Sequence, residues 1–160
     1  MAKPESNIKN FSIALILALF FDQLSKILIS NYLSPVDPPL EVIGSLLRFK
    51  LAYNPYGVFS ITYGPSFLYY AFHIIGVFIF SYIGLTQKDG FRTIVFGFIV
   101  GGALGNLLDR IRLKYVIDFI DMGIGDLRWF TYNLADAFVT LGAIYLIASE
   151  LFAPKKVKSF

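Results

Sequence analysis

A few ionisable groups interrupt a chain that is otherwise strongly apolar. Asp22 and Lys26 stand four residues apart in Phe21-Asp22-Gln23-Leu24-Ser25-Lys26. Asn106, Asp109 and Arg110 close a glycine-rich run. Asp118 lies in Val116-Ile117-Asp118-Phe119-Ile120, and Asp136 ends Asn133-Leu134-Ala135-Asp136. Cysteine is absent and His73 is the only histidine, which excludes thiolate chemistry, disulfides and an imidazole zinc site. No metal or cofactor is expected, and His73 reads as a ring packed between helices or near an interface. Metal-free chemistry through carboxylates, serine or lysine remains.

Asp118 and Asp136 fit that chemistry best, because each is an acid in an apolar setting. Two carboxyls brought together at low dielectric cannot both ionise easily, so they share a proton. One then takes a proton from water while the other polarises a carbonyl, which hydrolyses a peptide without a covalent intermediate. The plainer reading of Asp136 is an acid interacting with a helix dipole. Asp121 and Asp126 flank Gly123 and Gly125 in a stretch that reads as an exposed turn, where a solvated carboxylate costs nothing. Asp22 and Lys26 share a helix face and can pair. A neutralised pair near a helix end describes them at least as well as catalysis does. Ser25 and Lys26, adjacent on that helix, point apart and make a poor Ser–Lys dyad. For Asp109, a polar network closing the helix end is the favoured reading.

The elements that must position these groups are apolar runs. Of 160 residues, 56% are hydrophobic and 16% charged, with mean hydropathy +0.65. That composition cannot cover a water-soluble domain. Runs at 11–29, 67–85, 92–108 and 134–152 each approach the roughly 20 residues a membrane-crossing helix needs. The fold class expected is an all-α bundle of four transmembrane helices in a single membrane-embedded domain, 1–160. The first run follows Lys3 and Lys9 but lacks a small-x-small cleavage site, so it reads as a retained helix. Gly97, Gly101 and Gly105 recur every four residues, placing small side chains along one face for close helix packing. In the connecting segments 30–66 and 109–133, Leu47 to Tyr53 alternates with the period of a half-buried strand, and Val116 to Asp121 and Leu127 to Tyr132 also read as extended. A small sheet at the membrane surface is expected there.

Four crossings put both termini on one side with Lys3, Lys9, Lys88, Arg92, Lys155, Lys156 and Lys158. The other side holds Arg48, Lys50, Arg110, Arg112, Lys114 and Arg128. The first group lies in short tails and a short turn, as cytoplasmic charges do. The formal net charge is only +3 and no basic stripe is present, so a nucleic-acid partner is not expected.

At these blocks, taken with Asn54 to Phe59 and Gly101-Gly102-Ala103-Leu104-Gly105-Asn106-Leu107-Leu108-Asp109-Arg110, the sequence resembles the lipoprotein signal peptidases (signal peptidase II). These are bacterial membrane aspartic peptidases, and the blocks occur in family order over nearly the whole chain. The resemblance implies four transmembrane helices with a small extracytoplasmic β-cradle. It implies Asp118 and Asp136 as the catalytic pair. Asp22, Lys26, Asn54, Gly105, Asn106, Arg110, Asn133 and Ala135 would be support or substrate-contact residues. The implied substrates are diacylglyceryl-modified prolipoproteins, cleaved before the lipidated cysteine. The implied location is the bacterial cytoplasmic (inner) membrane, multi-pass with cytoplasmic termini, in contact with membrane lipid and as a monomer. One block departs from the family: Tyr56 of Asn54-Pro55-Tyr56-Gly57-Val58-Phe59 stands where glycine is usual. Tyrosine tolerates positive φ poorly, so this loop is expected to turn differently. Two rivals remain open. A small proton-coupled transporter or channel would use the intramembrane Asp and Lys as relays, and a non-catalytic scaffold would be held by its polar network.

Overall fold

A computed structural model describes residues 4–55 and 66–152. Lys3, the loop residues Tyr56, Gly57, Val58 and Phe59, and the tail lysines Lys155, Lys156 and Lys158 lie outside the described residues. The elements run α1 (Pro4–Tyr32), β1 (Leu40–Ile43), β2 (Leu47–Asn54), α2 (Ser66–Leu85), α3 (Gly90–Leu113), β3 (Val116–Ile124), β4 (Leu127–Arg128) and α4 (Leu134–Leu151). The helices cover the four expected runs. Among the described residues α1, α3 and α4 are long and apolar enough to cross a membrane, and the apolar stretch Tyr70–Leu85 of α2 is shorter.

Helix boundaries follow from local chemistry. Proline suits a first helical turn because its φ is already helical, and α1 opens at Pro4, well before its apolar stretch. Asp89 caps α3 by accepting from the Phe91 N–H. At the other end Lys114, with φ 70°, turns the chain toward β3 while its own N–H bonds to the Arg110 carbonyl. Asn133 and Asp136 form a reciprocal capping box at the start of α4.

Helix α3 is the central post. A Cβ at Gly97 would lie 2.6 Å from the Phe11 carbonyl, and one at Gly102 would lie 2.6 Å from the Ala135 carbonyl. The small residues therefore let α1 and α4 approach to backbone contact, as their spacing predicts. The outward faces are apolar: Ile16 and Phe20 on α1, Phe72 and Phe78 on α2, and Leu141 and Ile147 on α4 are all exposed. Such a surface suits hydrocarbon, not water.

The four strands form an antiparallel sheet in the order β1-β2-β3-β4. It lies where α1 and α3 end and α4 begins. Strand β1 was not anticipated. Side chains alternate along β3, so Asp118, Ile120, Met122 and Ile124 share a face. Ala52, Phe49 and Leu47 pair with the first three of these. That face is apolar apart from Asp118, and it grows more exposed outward to Ile124 and Leu127. The reverse face carries Glu41, Arg48 and Asp121 in register. A bulge between Phe49 and Ala52 bends β2 locally.

Candidate active site

Asp118 and Asp136 come from different elements, a strand and a helix start, and Asn133 bridges them. The Asn133 Nδ2 donates to Asp118 Oδ1 at 2.7 Å, and the Asn133 backbone N–H points at Asp136 Oδ2 at 3.4 Å. Asn54 Nδ2 donates to the other Asp118 oxygen at 3.1 Å, and Asn106 Nδ2 donates to Asp136 Oδ1 at 2.8 Å. Neutral amides hold both carboxyls, with no cation bonded to either among these contacts. Asp118 is buried and Asp136 is half-buried, so the pair opens on the Asp136 side. Burial first, and the charge of Asp136 second, push the Asp118 carboxyl up to about 7 against the opposing bonds from Asn54 and Asn133. A carboxyl that keeps its proton near neutral pH beside a second carboxyl is the arrangement that acid–base hydrolysis needs.

Beneath the pair lies a closed ionic layer. Lys26 Nζ contacts Asp22 Oδ2 at 2.8 Å and Asp109 Oδ2 at 2.9 Å, and donates to Asn106 Oδ1 at 2.9 Å. Asp22 Oδ1 accepts from the Ala135 N–H at 2.9 Å. Asp109 Oδ2 accepts from the Ile117 N–H at 3.3 Å. Gln23 Nε2 donates to Asp22 at 3.1 Å and to Asp109 at 3.0 Å. A Cβ at Gly105 would collide with Asp22 Oδ2, so glycine is what lets this carboxylate lie against α3. Arg110 lies within electrostatic reach of both Asp136 and Asp118, and its carbonyl accepts from Tyr70 at 3.1 Å.

The structure thus gathers Asp22, Lys26, Asn54, Gly105, Asn106, Arg110, Asn133 and Ala135 around the two acids. It also forms the Asp22–Lys26 pair and the Asp109 network expected at the helix end. Ser25 takes no part, because its Oγ donates to the Asp22 carbonyl. His73 is half-buried on α2. Among the described residues no group of three or more His, Asp or Glu could hold a metal.

One reading is corrected. Asp126 does occupy an exposed turn, but Asp121 is buried within β3. Arg48 reaches Asp121 Oδ2 at 2.7 Å and Arg128 reaches its Oδ1 at 3.0 Å. Burial alone would raise this carboxyl, but the two guanidinium groups outweigh it and hold Asp121 below the usual range. Asp121→Asn is expected to lower stability by about 3 kcal/mol, read as a fall in thermal midpoint in detergent, while the folded fraction keeps substantial activity. An unchanged midpoint would refute the ion cluster as a brace of the sheet.

The architecture matches that of a solved bacterial membrane enzyme, determined by the in meso method at 2.3 Å resolution. The TM-score is 0.83 and the identity 27%, covering 96% of this chain and 95% of that one. A profile of the family described as Signal peptidase (SPase) II matches residues 13–152. The lipoprotein signal peptidase of Pelagibacter ubique (strain HTCC1062) is 36% identical over 159 residues, covering 94% of both chains. That of Coxiella burnetii (strain RSA 493 / Nine Mile phase I) is 33% identical over 145 residues, covering 87% of this chain and 88% of its own. The chain belongs to the signal peptidase II family of membrane aspartic peptidases.

Proposed function

We propose that Asp118 and Asp136 are the catalytic acids with which this chain removes signal peptides from prolipoproteins, cutting before a diacylglyceryl-modified cysteine. The observation that carries this reading is the pair of carboxyls bridged by Asn133 and hydrogen-bonded by the neutral amides of Asn54, Asn106 and Asn133. With one proton on the pair, Asp136 as carboxylate takes a proton from water while the water oxygen attacks the scissile carbonyl. Asp118 gives its proton to the carbonyl oxygen. The tetrahedral intermediate collapses as the leaving nitrogen takes the proton from Asp136, the C–N bond breaks, and the new hydroxyl returns a proton to Asp118. One water is consumed, and the pair ends with the single proton it began with.

The apolar sheet face running outward from Asp118 supports a substrate that arrives with its acyl chains in the bilayer. Acyl chains contribute about 0.8 kcal/mol per buried methylene, more than a few peptide contacts supply. Purified protein should therefore cleave a lipidated prolipoprotein and leave the unlipidated precursor nearly intact. Equal cleavage of both forms would overturn lipid recognition.

The chain is read as one monomeric, multi-pass domain of the bacterial cytoplasmic membrane. In this reading α2, which carries no Asp, Glu, Lys or Arg, is the fourth crossing. Lys9, Lys88 and Arg92 support cytoplasmic termini, with the segments bearing Lys50 and Asp121 outside. Labelling of a Lys156→Cys variant by an impermeant reagent added to intact cells would reverse this orientation. A transporter would need a polar path through the bundle. Between the two ends, the described faces of α1 (Phe11, Ala14, Ala18) and α3 (Val95, Phe96, Ile99, Val100) form a buried apolar layer that offers none.

A further inference from the structure

Two carboxylates below the active pair each hold the peptide N–H that directly precedes a catalytic acid. Asp22 takes the Ala135 N–H, next to Asp136, and Asp109 takes the Ile117 N–H, next to Asp118. The same two carboxylates are tied together twice, once by Lys26 and once by Gln23. We propose that Asp22 and Asp109, coupled through Lys26 and Gln23, are positioning residues that set the separation of the two catalytic acids. This rests on the reading of Asp118 and Asp136 as that pair.

The need for such a device follows from the fold. Asp118 rides on β3 and Asp136 on the first turn of α4, and the segment joining them passes through the exposed β3–β4 turn. The capping box satisfies the Asp136 N–H through the Asn133 side chain. The Ala135 N–H is left as a first-turn donor that needs an acceptor from outside its own helix. A carboxylate meets that need with a charge-assisted bond, strengthened by the positive end of the helix. The Ile117 N–H receives the matching partner from α3. Both bonds end on one ionic layer, in which Asp22, Lys26 and Asp109 are each at most 2% exposed. The layer cannot yield at one end without moving the other. Misplacing a reacting group by about 1 Å costs on the order of 10²-fold in rate, so a brace on the backbone beside each acid acts directly on turnover.

Gln23→Met and Asp109→Asn test this, with kcat and KM measured across pH on a lipidated prolipoprotein. Among the described residues, the ionisable groups around the pair are Asp22 and Lys26 from α1, Tyr70 from α2, Asp109 and Arg110 from α3, Asp118 from β3 and Asp136 from α4. Relaxing the brace lets the acids separate, which weakens their sharing of a proton. The expected result is a fall in kcat of about 10-fold for Gln23→Met and about 100-fold for Asp109→Asn. KM should stay within about twofold, and the alkaline limb of the kcat profile should move to lower pH. A purely structural role would lower the thermal midpoint and leave the limb in place, as expected for Asp121→Asn. If Asp109→Asn does not fold, half-buried Gln23 decides. Wild-type kcat and an unmoved limb in Gln23→Met overturn the proposal, as does the same shift in Asp121→Asn. Activity in Asp118→Asn would instead remove the catalytic pair itself, whereas an inactive Asp118→Asn beside an unaffected Gln23→Met removes only the brace.

Discussion

Asp118→Asn and Asp136→Asn are each expected to lose at least about 10³-fold in cleavage of a lipidated precursor while remaining folded. Asparagine keeps the size of the side chain and one acceptor, so Asn54, Asn106 and Asn133 retain most of their partners. What disappears is the titrating group. In the wild type, cleavage should fall above about pH 7, where the pair loses the proton it shares. Stability supplies a second readout with a definite sign. The folded Asp118 pKa of about 7 stands above its ordinary 3.8, so folding tightens proton binding. The associated stability is complete below pH about 4 and is lost as pH rises through about 7. Asparagine has no proton to lose. Asp118→Asn should therefore be more stable than wild type above pH about 7, by on the order of 2 kcal/mol, with no such gain below pH about 4. Near-normal cleavage by either folded variant, free of contaminating wild type, would rule out the pair.

Lys26→Met should be among the most damaging single changes outside the Asp118–Asp136 pair. It leaves Asp22 and Asp109 facing each other without their shared cation, and Asn106 Oδ1 without one of its donors. Breaking a buried pair by removing one partner costs about 3–5 kcal/mol, and here two carboxylates lose the same ammonium. Thermal midpoint and yield in detergent should both drop sharply. Arg92→Ala provides the contrast: its partner Glu150 is 75% exposed, and such surface pairs contribute at most about 1 kcal/mol. Equal midpoints for the two variants would show that the ionic layer is not a stability element.

The parts of this fold written in local patterns were legible from the chain. The apolar runs marked the helices, the four-residue glycine spacing marked a close-packing face on α3, and the alternation from Leu47 to Tyr53 marked β2. Asp118 and Asp136 stood out as acids among apolar neighbours. Asp121 was misread because Gly123 and Gly125 signal a turn, yet only Gly125 turns, at φ 56°. Gly123 continues the strand opposite Arg128. The partner that buries Asp121 is Arg48, 73 residues away, and no local window contains it. Strand β1 escaped because four residues beside prolines and an acid carry too little alternation to read. The bonds from Gln23 to Asp109 and from Asp109 to Ile117 depend on how the helix ends meet, which residue spacing does not encode.

The bond from Asp22 to the Ala135 N–H joins residues 113 positions apart, and that reach has a bearing on biogenesis. Helix α1 carries an acceptor whose donor belongs to α4. Until α4 has inserted, Asp136 is missing, Asp22 and Lys26 await their final partners, and Asp118 faces no second acid. A chain whose α4 has not yet docked therefore lacks one acid of the Asp118–Asp136 pair and the Ala135 N–H that Asp22 accepts. The pair of acids is assembled in a single step, when α4 docks against α1 and α3.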